Sequence, residues 1–297
     1  MRMRPRARSG DEACAHGHGG FGDFLRSLLA GIPWSDRAEA CETVRFAAPR
    51  SGAIRIENAN GKTRVLGEDR ADVEVRLQKI ARAENEAAAR ALAEGTRLTA
   101  HDTDFSLDFE IAMPRRWNRR GIVNMEVRVP HGTRVDVLAS NGKVCISSLR
   151  AAVKAHSSNG AVSVENVEGD VEVQSSNAKV HCACVHGRLV ARTSNGKIEI
   201  EKHRGALDAA TSNGLIEAEI EELGGPVVLA TSNGRIAVSL PEDADADVDV
   251  RVDNGIIRSQ RSLCRCTHST GGRLAGQLGK GGTPIKLRTS NGSVSVR

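Results

Sequence analysis

The chain has 297 residues, 42 basic against 37 acidic, a formal net charge of +5 and 39% hydrophobic side chains. Both signs of charge are mixed along its length, which argues against nucleic acid as a partner. Aromatic residues make up 2%, with five Phe, two Trp and no Tyr. The stacking surfaces of a sugar cleft or single-strand platform are therefore not expected, and a core of Val, Ile, Leu and Ala is.

In chain order, residues 1–42 read as a basic, Gly/His-rich arm followed by a short amphipathic helix over residues 21–32, where Phe21, Phe24, Leu25, Leu28, Leu29 and Ile32 share a face and Pro33 ends the run. No apolar stretch has the length of a signal-peptide core or a membrane span, and the odd count of seven Cys is no disulfide framework. Both point to a cytoplasmic protein, with a cell-surface location less favoured. Residues 43–297 read as one domain. Its irregular first part, 43–132, has strand-like segments, an Ala/Glu-rich helix over 81–95 stopped by Gly95, and a basic loop with Arg115, Arg116, Trp117, Arg119 and Arg120. Regular coils follow over 133–257, then a Gly/Ser-rich loop excursion over 258–282, and 283–297 supplies a last rung that closes the array.

The repeat is the dominant signal. Ser/Thr-Ser-Asn-Gly recurs with Asn141, Asn159, Asn177, Asn195 and Asn213 at steps of 18, then Asn233, Asn254 and Asn291 at steps of 20, 21 and 37; Asn60-Gly61 is an earlier, divergent copy, and the Asn177 copy ends in Ala178. Apolar residues keep the same period, as in Val144, Val162, Val180, Ile198 and Ile216, with a second apolar position two residues later in each copy. Each period thus holds two short strands with alternate residues inward. Asn-Gly also suits an antiparallel hairpin. A parallel solenoid explains more, because only there does each Asn stand over its equivalent, about 4.8 Å away, where amides can form a ladder. A single rung buries too little apolar surface to offset its ordering entropy, so stability must come from stacking. The expected fold is all-β: a parallel β-solenoid of about 18 residues per coil, with one inserted α-helix and the short N-terminal amphipathic helix.

The segments TSNGKIEIE and SSNGAVSVENVEGDVEV, the Ala-rich helical insertion, VRVPHGTRVDV and the closing GKGGTPIKLRTSNGSVSV resemble the bacterial putative-adhesin family, a β-helical domain. The resemblance covers about Thr43 to Arg297 and implies a single-stranded β-solenoid with a non-catalytic role.

The Asn column has an immediate mechanical use as a turn ladder, so Asn141, Asn159, Asn177, Asn195, Asn213, Asn233, Asn254 and Asn291 are read as structural. The basic loop is the densest positive patch, open to a partner or a phosphate. Two Cys-x-Cys pairs each have a His two residues later. Cys182 occupies an inward position and substitutes for a small hydrophobe, whereas Cys264, Cys266 and His268 lie in the excursion and are the weak metal candidates. No motif for catalysis, cofactor binding or a small-molecule substrate is recognised. The expected function is an adhesin-like rigid scaffold or binding module for a macromolecular partner or for copies of itself. The alternative is a peripheral membrane or envelope-stress protein anchored through residues 21–32, and a polysaccharide-active enzyme is the remote one.

Overall fold

A computed structural model describes residues 36–112, 121–269 and 272–297. Its first strands are β1 (Asp36–Ala47), β2 (Ala53–Asn60), β3 (Thr63–Glu68) and β4 (Asp72–Ala83), followed by helix α1 (Glu86–Gly95), β5 (Arg97–Asp102), β6 (Leu107–Ala112) and β7 (Gly121–Pro130). The repeat region forms β8 (Arg134–Asn141), β9 (Val144–Leu149), β10 (Val153–Ser157), β11 (Val162–Glu168), β12 (Val171–Ser175), β13 (Val180–His186), β14 (Leu189–Thr193), β15 (Ile198–Arg204), β16 (Leu207–Asn213) and β17 (Ile216–Glu222). The chain ends with β18 (Val227–Ser239), β19 (Ala246–Ser259), β20 (Cys264–Ser269), β21 (Arg273–Leu278) and β22 (Thr283–Val296).

These strands build a rod of ten rungs with two faces. Each rung crosses the first face and returns along the second, and every rung from β2/β3 onward turns at an Asn corner. Successive rungs are parallel and in register, for example Val153 over Val135 and under Val171 on the first face, and Val162 over Val144 and under Val180 on the second. Inward positions are filled by Val, Ile, Leu and Ala in one apolar core running from Ile54 to Val296. A rung standing alone would expose the apolar side chains that its neighbours cover, so each one depends on the rungs beside it.

Two local devices keep the coils in phase. At the Asn corner, Thr211, Thr231 and Thr289 turn inward and their hydroxyls donate to the Gly196, Gly214 and Gly234 carbonyls of the preceding rung at 3.3, 3.3 and 3.4 Å. The Gly is required by close approach: a Cβ on Gly214 would sit 2.0 Å from the Gly196 carbonyl oxygen. Partway along the second face, Ser148, Asn166, Cys184 and Lys202 stack with φ of 61°, 54°, 52° and 50°. Each is a bulge that shifts the alternation by one, so after Val144 and Ile146 the next inward residue is Leu149, and Val167, Val185 and His203 follow in the same column. The β17 rung lacks the bulge: Ile216, Ala218 and Ile220 alternate strictly, and its register against β15 shifts accordingly.

Chain order and stacking order part company at both ends. At the first end, β6 and β7 form the outermost rung, and the β2/β3 rung lies between them and β8/β9. At the other end, β22 pairs with β18 on one side and with β19 on the other. The expected closing rung, 283–297, is therefore inserted as the penultimate rung, and the Asn254 rung is outermost. The excursion 258–282 is not a bare loop, because β21 folds back antiparallel on β19 and β20 antiparallel on β21. Helix α1 starts at Glu86 rather than 81, because Ala81 and Ala83 continue the buried alternation of β4 and the Asn85 side chain caps the helix by accepting from the Ala88 amide at 2.8 Å. Residues 36–42, expected in the arm, belong to β1, which pairs with β4 from Asp36 onward. The expected helix at 21–32 lies outside the described residues.

Candidate functional site

The Asn corner is a continuous amide ladder. Asn141 Nδ2 donates to Asn60 Oδ1 at 3.0 Å, and Asn159, Asn177, Asn195, Asn213, Asn233, Asn291 and Asn254 each donate to the Asn one rung before, at 2.9–3.1 Å. All eight bonds point the same way, and the order in space is 233, 291, 254. These amides are used by one another, which makes the column a spine that fixes spacing. In the Asn177 copy, where Ala178 replaces Gly, the inward Ser175 hydroxyl is buried without a hydrogen-bond partner.

The first face carries a trough. One outward column reads Arg192, Ala210, Ala230, Arg288, Arg251 on five consecutive rungs. Long side chains stand on the outer rungs and methyl groups on the two between, opening a groove of about 570 Å³ floored by Ala210, Ala230 and the Thr/Ser columns. Arg192 and Arg288 stand three rungs apart, roughly 14 Å at normal strand spacing. Arg192 forks onto Asp208, with Nη1 to Oδ1 at 2.9 Å, and Arg251 pairs with Asp249 at 3.2 Å. The Arg288 guanidinium has no ion pair or hydrogen bond among the described residues. The arrangement offers guanidinium groups and hydroxyls around a small flat floor, which suits an extended ligand with acceptor oxygens.

The second face carries an ion network. Lys179 and Lys197 both hold Glu199, the latter at 2.8 Å, and Lys197 also reaches Glu217. The Lys179 and Lys197 hydrogen bonds hold the Glu199 carboxyl down to about 2. His181, Glu199 and Glu201 bring possible ligand atoms within 4.8 Å of one another, among the described residues the one such group. The two ammonium groups already supply Glu199 with the positive charge that a cation would bring.

Two further groups are perturbed by the core. The Cys182 thiol faces inward and burial pushes it up to about 12. His203 is fully buried in the Leu149–Val167–Val185 column, burial lowers its pKa, and its Nε2 contacts the Ala206 carbonyl at 3.1 Å. Because of the bulge at Cys184, that residue and His186 instead line a surface groove with His131 and Glu168. Cys182, Cys184 and His186 therefore do not share a face. His203 and the bulge column are absent from a reading by strict alternation; the spacing 144–146–149, repeated at 162–164–167, is the signal that reveals them. Cys264 and Cys266 are exposed on β20, flanking Arg265 at φ 49°, and the His268 side chain lies outside the described residues. So do Arg115, Arg116, Trp117, Arg119 and Arg120. Among the described residues no helix is long and apolar enough to cross a membrane.

The described residues thus form a parallel β-solenoid with an amide spine and a filled apolar core. The chain belongs to the Toastrack DUF4097 family, whose model matches residues 51–297. Among solved structures it is similar to a putative adhesin from Parabacteroides merdae (11% identity, 86% of this chain and 96% of that one, TM-score 0.47). It is also similar to a putative adhesin from Bacteroides fragilis (12%, 86% and 96%, 0.45) and to a putative lipid binding protein from Parabacteroides distasonis (9%, 87% and 97%, 0.42). No curated protein matches the chain.

Proposed function

We propose that the chain is a non-catalytic binding rod that holds a macromolecular partner lengthwise on its first face, with the trough between Arg192 and Arg288 as the principal contact. The observation that carries this reading is the pair of consecutive alanines, Ala210 and Ala230, in a column whose flanking members are arginines. On a rod whose rungs are locked by a shared core and spine, such a gap is a preformed recess, and a partner entering it orders side chains such as Arg288 but not the backbone. The strongly shifted ionisable groups support the non-catalytic part. Shifted groups often mark active sites, but Cys182 and His203 are turned into the core and Glu199 is held by two lysines.

Filling the trough tests the reading without touching the core. Immobilised wild-type chain is compared with an Ala210→Gln/Ala230→Gln variant and with Arg288→Ala for macromolecules retained from extract of the source cells. Retention by wild type that both variants lose supports the reading. Retention unchanged by the filled trough, or turnover of a polysaccharide in a hydrolysis screen, contradicts it.

A further inference from the structure

The two ends of the rod are stepped, and the steps match. On the first face the strands run β5, β6, β2, β8, β10, β12, β14, β16, β18, β22, β19, β21, β20. On the second they run β1, β4, β7, β3, β9, β11, β13, β15, β17, β18, β22, β19. At the Asn254 end the first face extends two strands beyond β19, while on the second face residues 254–259 of β19 have no strand partner on their outer side among the described residues. At the opposite end it is the second face that reaches further, two strands beyond its outermost rung against one on the first. The recess at one end thus lies on the face that projects at the other.

We propose that the rod joins end to end with further copies of this chain, β1 of one copy adding to the open edge of β19 in the next. The proposal rests on the reading of the chain as a binding rod and names one of its partners. Strand direction fits: β1 is antiparallel to β4, which is antiparallel to β7, so β1 runs parallel to the rung strands of its face. Stacking a second copy in the same orientation continues the parallel ladder that the rod already uses. The two edges differ in the sign of their net charge: residues 254–266 carry Arg258, Arg261 and Arg265 with no acid, and β1 carries Asp36, Glu39 and Glu42 against Arg37 and Arg45. Among the described residues the exposed large hydrophobics are Phe105, Ile122 and Ile256. Phe105 lies in the β5–β6 turn at one end and Ile256 on the outermost rung at the other, whereas Ile122 stands on β7, two strands inside the end that β1 forms. Two of the three thus lie at the ends of the rod. Beside the open edge lies a groove of about 620 Å³ of mixed character, lined by Ile257, Leu263 and Leu274 together with Ser259, Arg261 and Arg273, which leaves room for the incoming end. Because each joint uses two different surfaces, the assembly is an open chain of rods rather than a closed dimer.

Sedimentation velocity over a concentration series tests the joint on the full chain. Wild type should grow in mass with concentration without stopping at a dimer. Ile256→Glu should weaken association roughly tenfold or more, because it sets a carboxylate beside Glu39 of the next copy. The register of the second face sets Ile256 opposite Cys41 across the joint, so Ile256→Cys should cross-link to Cys41 of the next copy on mild oxidation and Cys41→Ser should abolish the cross-link, an outcome that misfolding cannot mimic. A wild-type monomer at every concentration overturns the proposal, as do oligomers indifferent to all of these changes. A monomer whose 254–259 amides are nevertheless protected overturns it too, and assigns the edge to residues 1–35 of the same chain. If the chain stays monomeric but still loses its macromolecule when the trough is filled, the joint fails and the binding-rod reading stands; if both fail, so does that reading.

Discussion

At the scale of single residues, the stack is governed by how close two backbones must come. Gly214 approaches the rung before it so closely that a methyl group would overlap a carbonyl oxygen, so Gly214→Ala is expected to cost about 1–3 kcal/mol by thermal or chemical denaturation. A cost near zero would mean that the corner can relax, as in the Ala178 rung two steps earlier, where the Ser175 hydroxyl is left unsatisfied. His203 makes a different kind of prediction. Its pKa is lowered by burial, so the unfolded chain binds the proton more readily and stability is complete above the unfolded value of about 6.5 and falls as the pH drops below it. His203→Val matches Val167 and Val185 in the same column and leaves the Ala206 carbonyl bonded to the Leu189 amide at 2.9 Å. The variant should lose less melting temperature than wild type between pH 7.5 and 5.5; equal losses would assign the acid sensitivity elsewhere. The Asn column was legible as a turn ladder from its steps of 18, because a corner residue must repeat wherever the corner does. His203 was hidden because one polar residue in an apolar column looks like an ordinary outward position until the bulge is known.

At the scale of elements, parallel pairing and two strands per coil were readable because inward residues recur at the coil period. The order of the last rungs was not. The interval from Asn254 to Asn291 is close to two periods with an insertion, and linear counting cannot tell a later rung from an inserted one. Space decides it: β22 carries the hydrogen-bonding edges that both β18 and β19 require. Likewise 258–282 reads as a loop from its Gly and Ser content, yet it covers half of the outermost rung, which would otherwise present a bare edge. Removing residues 283–297 should therefore release β19, β20 and β21 together while the rungs up to β18 persist. Limited proteolysis with mass spectrometry would show cleavage across residues 246–278 in the truncated chain; protection of that stretch equal to wild type would contradict the insertion.

For the whole molecule, each rung rests on contacts distant in sequence, and two rungs are completed only after a later segment returns to lie beside an earlier one. Such a topology predicts slow folding and, once formed, a surface whose features hold fixed positions along an axis. The trough, the ion network and the stepped ends all depend on that register, so the order of the rungs is what the functional reading stands on. Hydrogen exchange on the monomeric fraction of the intact protein tests it most directly. With β22 between two partners, the amides of 283–296 should be among the slowest to exchange, and those of 254–259, on an edge open on one side, clearly faster. The reverse, a C-terminal strand exchanging as an edge beside a protected 254–259, would contradict the account.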